Sequence, residues 1–362
     1  MKTYVRHAVA LLALTVACQA GVALADDEYW VAADQTSVPA GGDKVAAQGQ
    51  SGCSSCCPAA CGSCESCESC CCRLGCDGCD PYSIVGFAGL DSFKGISDAD
   101  WPSNFGAVTG LNTGVMLPAL EDYGIGWQTG LSYGIYDFDG RASTEVGQAK
   151  SQQQIFVTTG FFHKAKCDQR VSFGLVYDWM FNDEWGALGD SPTLGQWRGQ
   201  VEYALSGCNA VGVWGCWRDL GARHNFDDRE PIVSTRAVSQ INLFWHHKFC
   251  QSGADSYLWI GVPDHGRFDT DGSFADWTVG ASVQVPLSDR LALYANGSYL
   301  HPSASAGGIA AIEAGYDVSM GVAWYFGGHA RSNAINGKCS TPYMPVANNS
   351  SFLVEQSNAF VD

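Results

Sequence analysis

Residues 316–326 read Tyr-Asp-Val-Ser-Met-Gly-Val-Ala-Trp-Tyr-Phe. In an extended chain successive side chains point to opposite faces, so Tyr316, Val318, Met320, Val322, Trp324 and Phe326 share one side while Asp317, Ser319, Gly321, Ala323 and Tyr325 share the other. The first face is apolar and aromatic. The same period of two recurs upstream. Ile125, Trp127, Thr129, Leu131, Tyr133 and Ile135 alternate with Gly126, Gln128, Gly130, Ser132 and Gly134, and Val171, Phe173, Leu175, Tyr177, Trp179 and Phe181 with Ser172, Gly174, Val176, Asp178 and Met180. Trp277, Val279, Ala281, Val283, Val285 and Leu287 repeat the pattern. This period predicts strands with one apolar and one small, polar face. Less regular strands are expected near 83–93, 105–117, 153–164, 197–206, 209–219, 237–249, 256–262 and 291–300.

A soluble β-sandwich also alternates, and connection lengths separate the two cases. The expected connections after even-numbered strands are short, near 118–122, 165–169, 207–208, 250–255 and 288–290. Those after odd-numbered strands are long, near 94–104, 138–150, 182–194, 220–234, 263–273 and 301–312. Short turns alternating with long loops are the mark of a transmembrane barrel. The prediction is an all-β fold: an antiparallel up-and-down barrel of about 12 strands over residues 83–327, with aromatic faces toward lipid and small polar faces inward. Both ends of the barrel fall on the short-turn side. The 316–326 strand resembles the closing strand of an outer-membrane protein, but the polar tail 328–362 follows it. That tail is expected to extend on the turn side, in the periplasm, or to add a strand at 351–355.

Composition agrees with this class. Charged residues make up 16% of the 362, and Gly supplies 43, against averages of about 25% charged and about 7% Gly in soluble domains. A net charge of −17 disfavours nucleic acid as a partner. At the N-terminus, Lys2, Arg6 and His7 precede the apolar run Ala8–Ala17, and Ala23-Leu24-Ala25 has the shape accepted by signal peptidase. Residues 1–25 are therefore expected to be a secretory signal, with a membrane anchor and a lipoprotein at Cys18 as alternatives. The mature chain would be exported, where disulfides are permitted.

Residues 26–82 form a cysteine-rich leader. Cys53, Cys56, Cys57, Cys61, Cys64, Cys67, Cys70, Cys71, Cys72, Cys76 and Cys79 lie in a Ser/Gly/Glu matrix. Cys-x-x-Cys spacing suits Zn²⁺ or an iron–sulfur cluster. No His lies in the block and the export signal favours oxidation, so disulfides or intermolecular cross-links are the preferred reading, with no cofactor expected. Cys167, Cys208 and Cys250 fall in or beside predicted short turns, and Cys339 lies in the tail. All four would face the leader's compartment, where envelope proteins are candidate disulfide-linked partners. Cys216 breaks this pattern by lying within a strand.

Catalytic signals are weak. Gly130-Leu131-Ser132-Tyr133-Gly134 matches a nucleophile elbow, but Ser132 sits mid-strand rather than at a strand-to-helix turn. His163, His246, His247 and His301 are candidate bases for an outer-membrane lipid hydrolase, yet no Ser pairs clearly with one. Asp269-Thr270-Asp271-Gly272-Ser273 opens like a calcium loop but has Gly280 where the bidentate Glu belongs. The long loops gather acids, either as a solvated face or as a cation-attracting vestibule. No enzymatic activity, catalytic residue or metal ligand is expected.

The cysteine-rich leader, the segment Gly86-Phe87-Ala88-Gly89-Leu90-Asp91-Ser92-Phe93, the stretch Asn104-Phe105-Gly106 to Gly114, and the ending Trp324-Tyr325-Phe326-Gly327-Gly328 together resemble an uncharacterised, cysteine-rich family of planctomycete outer-membrane barrel proteins. The resemblance implies an envelope location in contact with outer-membrane lipid and brings no assigned activity. Two functions compete: an envelope-anchoring barrel held through its leader, and a small-solute channel of porin type.

Overall fold

In a computed structural model, the described residues are 82–95, 103–118, 120, 123–142, 149–165, 169–186, 189–225, 232–249, 252–264, 275–302, 315–332, 335 and 342–356. The signal segment and Cys53 to Cys79 lie outside this set, as do Cys167, Cys250 and Cys339.

Fifteen strands are formed among the described residues: β1 (Tyr82–Lys94), β2 (Asn104–Met116), β3 (Ile125–Ala142), β4 (Ala149–His163), β5 (Val171–Asp183), β6 (Thr193–Ala204), β7 (Asn209–Leu220), β8 (Ala222–Asn225), β9 (Ile232–Ala237), β10 (Gln240–Phe249), β11 (Ala254–Pro263), β12 (Ala275–Pro286), β13 (Leu291–Pro302), β14 (Gly315–Gly327) and β15 (Val354–Gln356). All but β8, β9 and β15 join in sequence order into a closed antiparallel barrel of 12 strands. Closure comes from β1 pairing with β14, from Ile84 opposite Gly327 to Lys94 opposite Tyr316. A closed sheet leaves no row of unpaired backbone groups, which is what a lipid environment requires of a strand-built span.

The alternation resolves as expected. On β5, Val171, Phe173 and Leu175 are exposed while Ser172, Gly174, Val176, Asp178 and Met180 are buried. On β14, Val318, Met320, Val322, Trp324 and Phe326 face outward, and Asp317, Ser319, Ala323 and Tyr325 face inward. With Ile241, Leu243, Leu258, Ile260 and Val262 they form an exposed apolar exterior that would be untenable in water and is suited to lipid. The chain is an outer-membrane-type barrel.

Three differences from the sequence expectation stand out. First, β3 and β4 run on to Ala142 and Ala149, so their connection narrows to 143–148. Second, the loop after β7 contains the hairpin β8–β9, which was not anticipated. Third, the tail does not stay beside the short turns. It passes the turn-side rim, where the Ile335 amide donates to Gly207 O at 2.8 Å, and then runs inside the barrel. It ends as β15 paired with β9, completing a three-stranded sheet at the long-loop end. The added strand expected at 351–355 is thus found at Val354–Gln356, on the loop side.

Candidate functional site

The inward side chains of β2 to β6 explain why the tail lies where it does. Residues 342–353 form no ladder, so their backbone groups need other partners in a buried setting. The wall supplies them. Gln128 makes a two-way clasp: its Nε2 donates to Met344 O at 2.9 Å, and its Oε1 accepts from the amides of Tyr343 and Met344 at 3.1 and 3.0 Å. Asn112 also donates to Met344 O, at 3.1 Å, and Arg198 Nη2 to Pro345 O, at 2.7 Å. The Ala347 amide donates to Thr158 Oγ1 at 2.9 Å, and Gln196 Nε2 to Ser351 O at 3.0 Å. From this inner stretch of the tail, the strap of residues 342–353, Asn349 Nδ2 donates to Gln154 Oε1 at 3.0 Å. Asn348 closes a local turn by accepting from Phe352 N at 2.8 Å.

Apolar contacts reinforce these bonds. Val346, Ala347 and Phe352 pack in one buried cluster with Phe156, Met180, Trp185 and Leu194 of the wall and loop. The wall is therefore not uniformly small and polar. At the far end, Glu355 of β15 contacts Arg236 in a close ion pair and lies 3.4 Å from Arg218.

Two clusters that pair acids with bases line the lumen. Arg198 and Asp178 form a bidentate pair at 2.8 and 3.1 Å, both side chains buried, with Thr158 Oγ1 donating to Asp178 at 2.7 Å. On the turn side, His246 sets Nδ1 2.9 Å from Glu202 and Nε2 3.1 Å from Asp255, while Lys248 Nζ donates to Asp255 at 2.6 Å. Beside the strap remains a cavity of about 420 Å³, bordered by Trp214, Phe244, Tyr257 and Trp259 as well as by this second cluster.

The profile of one protein family, described as a family of unknown function (DUF6666), matches residues 83–354. The chain belongs to that family. The matched span of the DUF6666 family runs from β1 into β15, so it takes in both barrel and strap. No curated protein matches the chain. Among solved structures, an outer-membrane channel from Pseudomonas putida F1 is similar at 9% identity and a TM-score of 0.45, covering 69% of this chain and 97% of that one. KdgM porin matches at 9% identity and 0.36, covering 67% and 99%. The β domain of the Bordetella autotransporter BrkA matches at 14% and 0.38, covering 68% and 99%. These likenesses are of barrel architecture alone.

Of the residues singled out from sequence, Tyr316, Val318, Met320, Val322, Trp324 and Phe326 lie on the closing strand with the last five exposed. Cys208 lies in the β6–β7 turn, where its amide donates to Ser206 Oγ at 3.2 Å. Cys216 is a buried free thiol whose Sγ lies 3.4 Å from Val238 O. Ser132 is buried on the inner face of β3. His163 stacks on Phe173 and His301 on Trp277, as rim residues do, and His247 Nδ1 lies 2.9 Å from Asn209 Oδ1. Among the described residues, no group of three or more His, Cys, Asp and Glu is placed to hold a metal. The sequence reading missed the strap and the partners it finds in Gln128, Gln154, Gln196, Asn112 and Arg198. Their signal was a set of long amide side chains facing inward, larger than a bare water path needs.

Proposed function

We propose that this DUF6666 protein is a small-solute channel of outer-membrane type, held closed in this conformation by its own C-terminal strap. The observation that carries the reading is the way the strap is held. Its backbone is bonded mainly by side chains of the wall rather than by a ladder, and a cavity with charged and aromatic sides persists next to it. Such an occupant can leave without breaking the sheet that forms the pore. The lumen of a 12-stranded barrel is wide enough for a ligand or water path once emptied. The proposal assigns no chemistry to the chain.

Conductance in planar bilayers tests it, with the full chain compared with a chain ending at Gly328. Low or flickering current from the former and steady current from the latter would support the channel. Equal silence from both, with each folded, would reject it.

A second reading, anchoring to the envelope through the turn-side cysteines, draws support from the place of Cys208 in the short β6–β7 connection at the rim. Non-reducing peptide mapping of protein from intact envelopes would show a cross-linked partner peptide if that role holds, and only internal linkages if it does not.

A further inference from the structure

Where the strap crosses from β3–β4 toward β13–β14, two wall carboxylates meet it. Asp91 of β1 and Asp317 of β14 both point inward and are 4% and 1% exposed. They sit on paired strands, Asp91 opposite Ser319 and Phe93 opposite Asp317. The Asp317 carboxyl faces both that of Asp91 and the Ser350 hydroxyl of the strap. Only one of the four carboxylate oxygens is bonded: Asp91 Oδ2 accepts from Tyr136 OH at 2.7 Å and from Asn349 Nδ2 at 3.2 Å. Asp91 Oδ1 and both oxygens of Asp317 are buried without a partner. The described basic side chains of the lumen lie elsewhere, Arg198 paired with Asp178, Lys248 with Asp255, and Lys164 near Asp255 and Glu202.

Burying one ionised carboxylate unpaired is strongly unfavourable, and two facing each other repel as well. Orphaned buried polar atoms at such density call for a missing partner. We propose that this partner is a divalent cation of the Ca²⁺ class, held between Asp91 and Asp317 with neutral oxygens from the strap and its neighbour, Ser350 and Ser298. The two hydroxyls already lie 3.0 Å apart at the same place. Hard oxygen donors with two negative charges and room for water suit Ca²⁺ better than Zn²⁺, which prefers nitrogen and sulfur. Since the carboxylates belong to the wall and Ser350 to the strap, the ion would fasten one to the other. Its effect on current rests on the channel reading, whereas its binding does not.

Terbium is a suitable probe, because Tyr136 and Tyr294 stand beside the pair and tyrosine sensitises its luminescence. Chelator-stripped full-length protein in detergent should show saturable Tb³⁺ luminescence that Ca²⁺ displaces. The Asp91→Asn/Asp317→Asn double variant should lose it. Ser350→Lys, which offers its own ammonium to the pair, should also lose it and keeps the wall intact if the double variant fails to fold. Absence of saturable binding in the unaltered protein would overturn the proposal and leave a shared proton as the pair's partner. Luminescence unchanged in Ser350→Lys would also overturn it, by placing the ion in the acidic loops.

Discussion

Gly174 shows how closely the strap and wall are fitted. A Cβ there would stand 2.9 Å from Tyr343 Cδ1 and 3.0 Å from Met344 Sδ, and its three nearest neighbours all belong to the strap. Gly174→Leu should therefore push the strap away while sparing the sheet. Faster digestion of the tail by carboxypeptidase, with an unchanged heat-dependent gel shift, is the expected result. Arg198 works in the opposite sense. It neutralises the fully buried Asp178 and holds Pro345, so Arg198→Ala leaves a buried carboxylate with hydrogen bonds from Thr158 and Gln196 but no counter-ion, at a cost of about 3–5 kcal/mol. The melting temperature should fall markedly, and Arg198→Met/Asp178→Leu should recover most of the loss. An unaltered melting temperature for the single variant would show that water reaches Asp178. These residues were only half legible in the sequence. Alternation shows that Gln128 points inward, but no local pattern says that its partner, or that of Arg198, is a chain segment 216 or 147 residues away.

The strands were legible because lipid on one side and a packed lumen on the other impose period two on each of them. The hairpin β8–β9 was not, since its short strands sit in a loop and lack a repeated apolar face. Nor was the strap, whose irregular backbone writes no period at all. Its last element can be probed by pH. Burial raises the proton affinity of Glu355 above that of an ordinary carboxylate, and Arg236 and Arg218 oppose this without cancelling it. The docked β15 therefore holds a proton more tightly than the released one. Its docking is strongest below the usual carboxylate range and weakens as pH rises through the elevated value. Limited proteolysis from about pH 4 to about pH 8 should show the tail increasingly accessible. Glu355→Gln should flatten that profile. A tail that instead becomes more protected with rising pH would mean that the two arginines dominate.

At the scale of the molecule the question is whether barrel and strap fold as one unit. The strap buries Met344, Val346 and Phe352, and full burial of each large apolar side chain is worth about 1.5–3 kcal/mol. Its loss also bares the amides and carboxylates that clasp it. The ladder, however, closes without it, since β1 pairs with β14 along almost their whole length and each remaining strand has two neighbours. Water entering the lumen can hydrate Gln128, Gln154 and Arg198, as it does the polar interior of open barrels. A chain ending at Gly328 should consequently still fold into a barrel. Unboiled, it should migrate differently from the boiled form, but it should lose that difference at a lower temperature than the full chain. Disappearance of the shift at every temperature would show that the strap is a structural core, and a core that cannot leave cannot gate a pore.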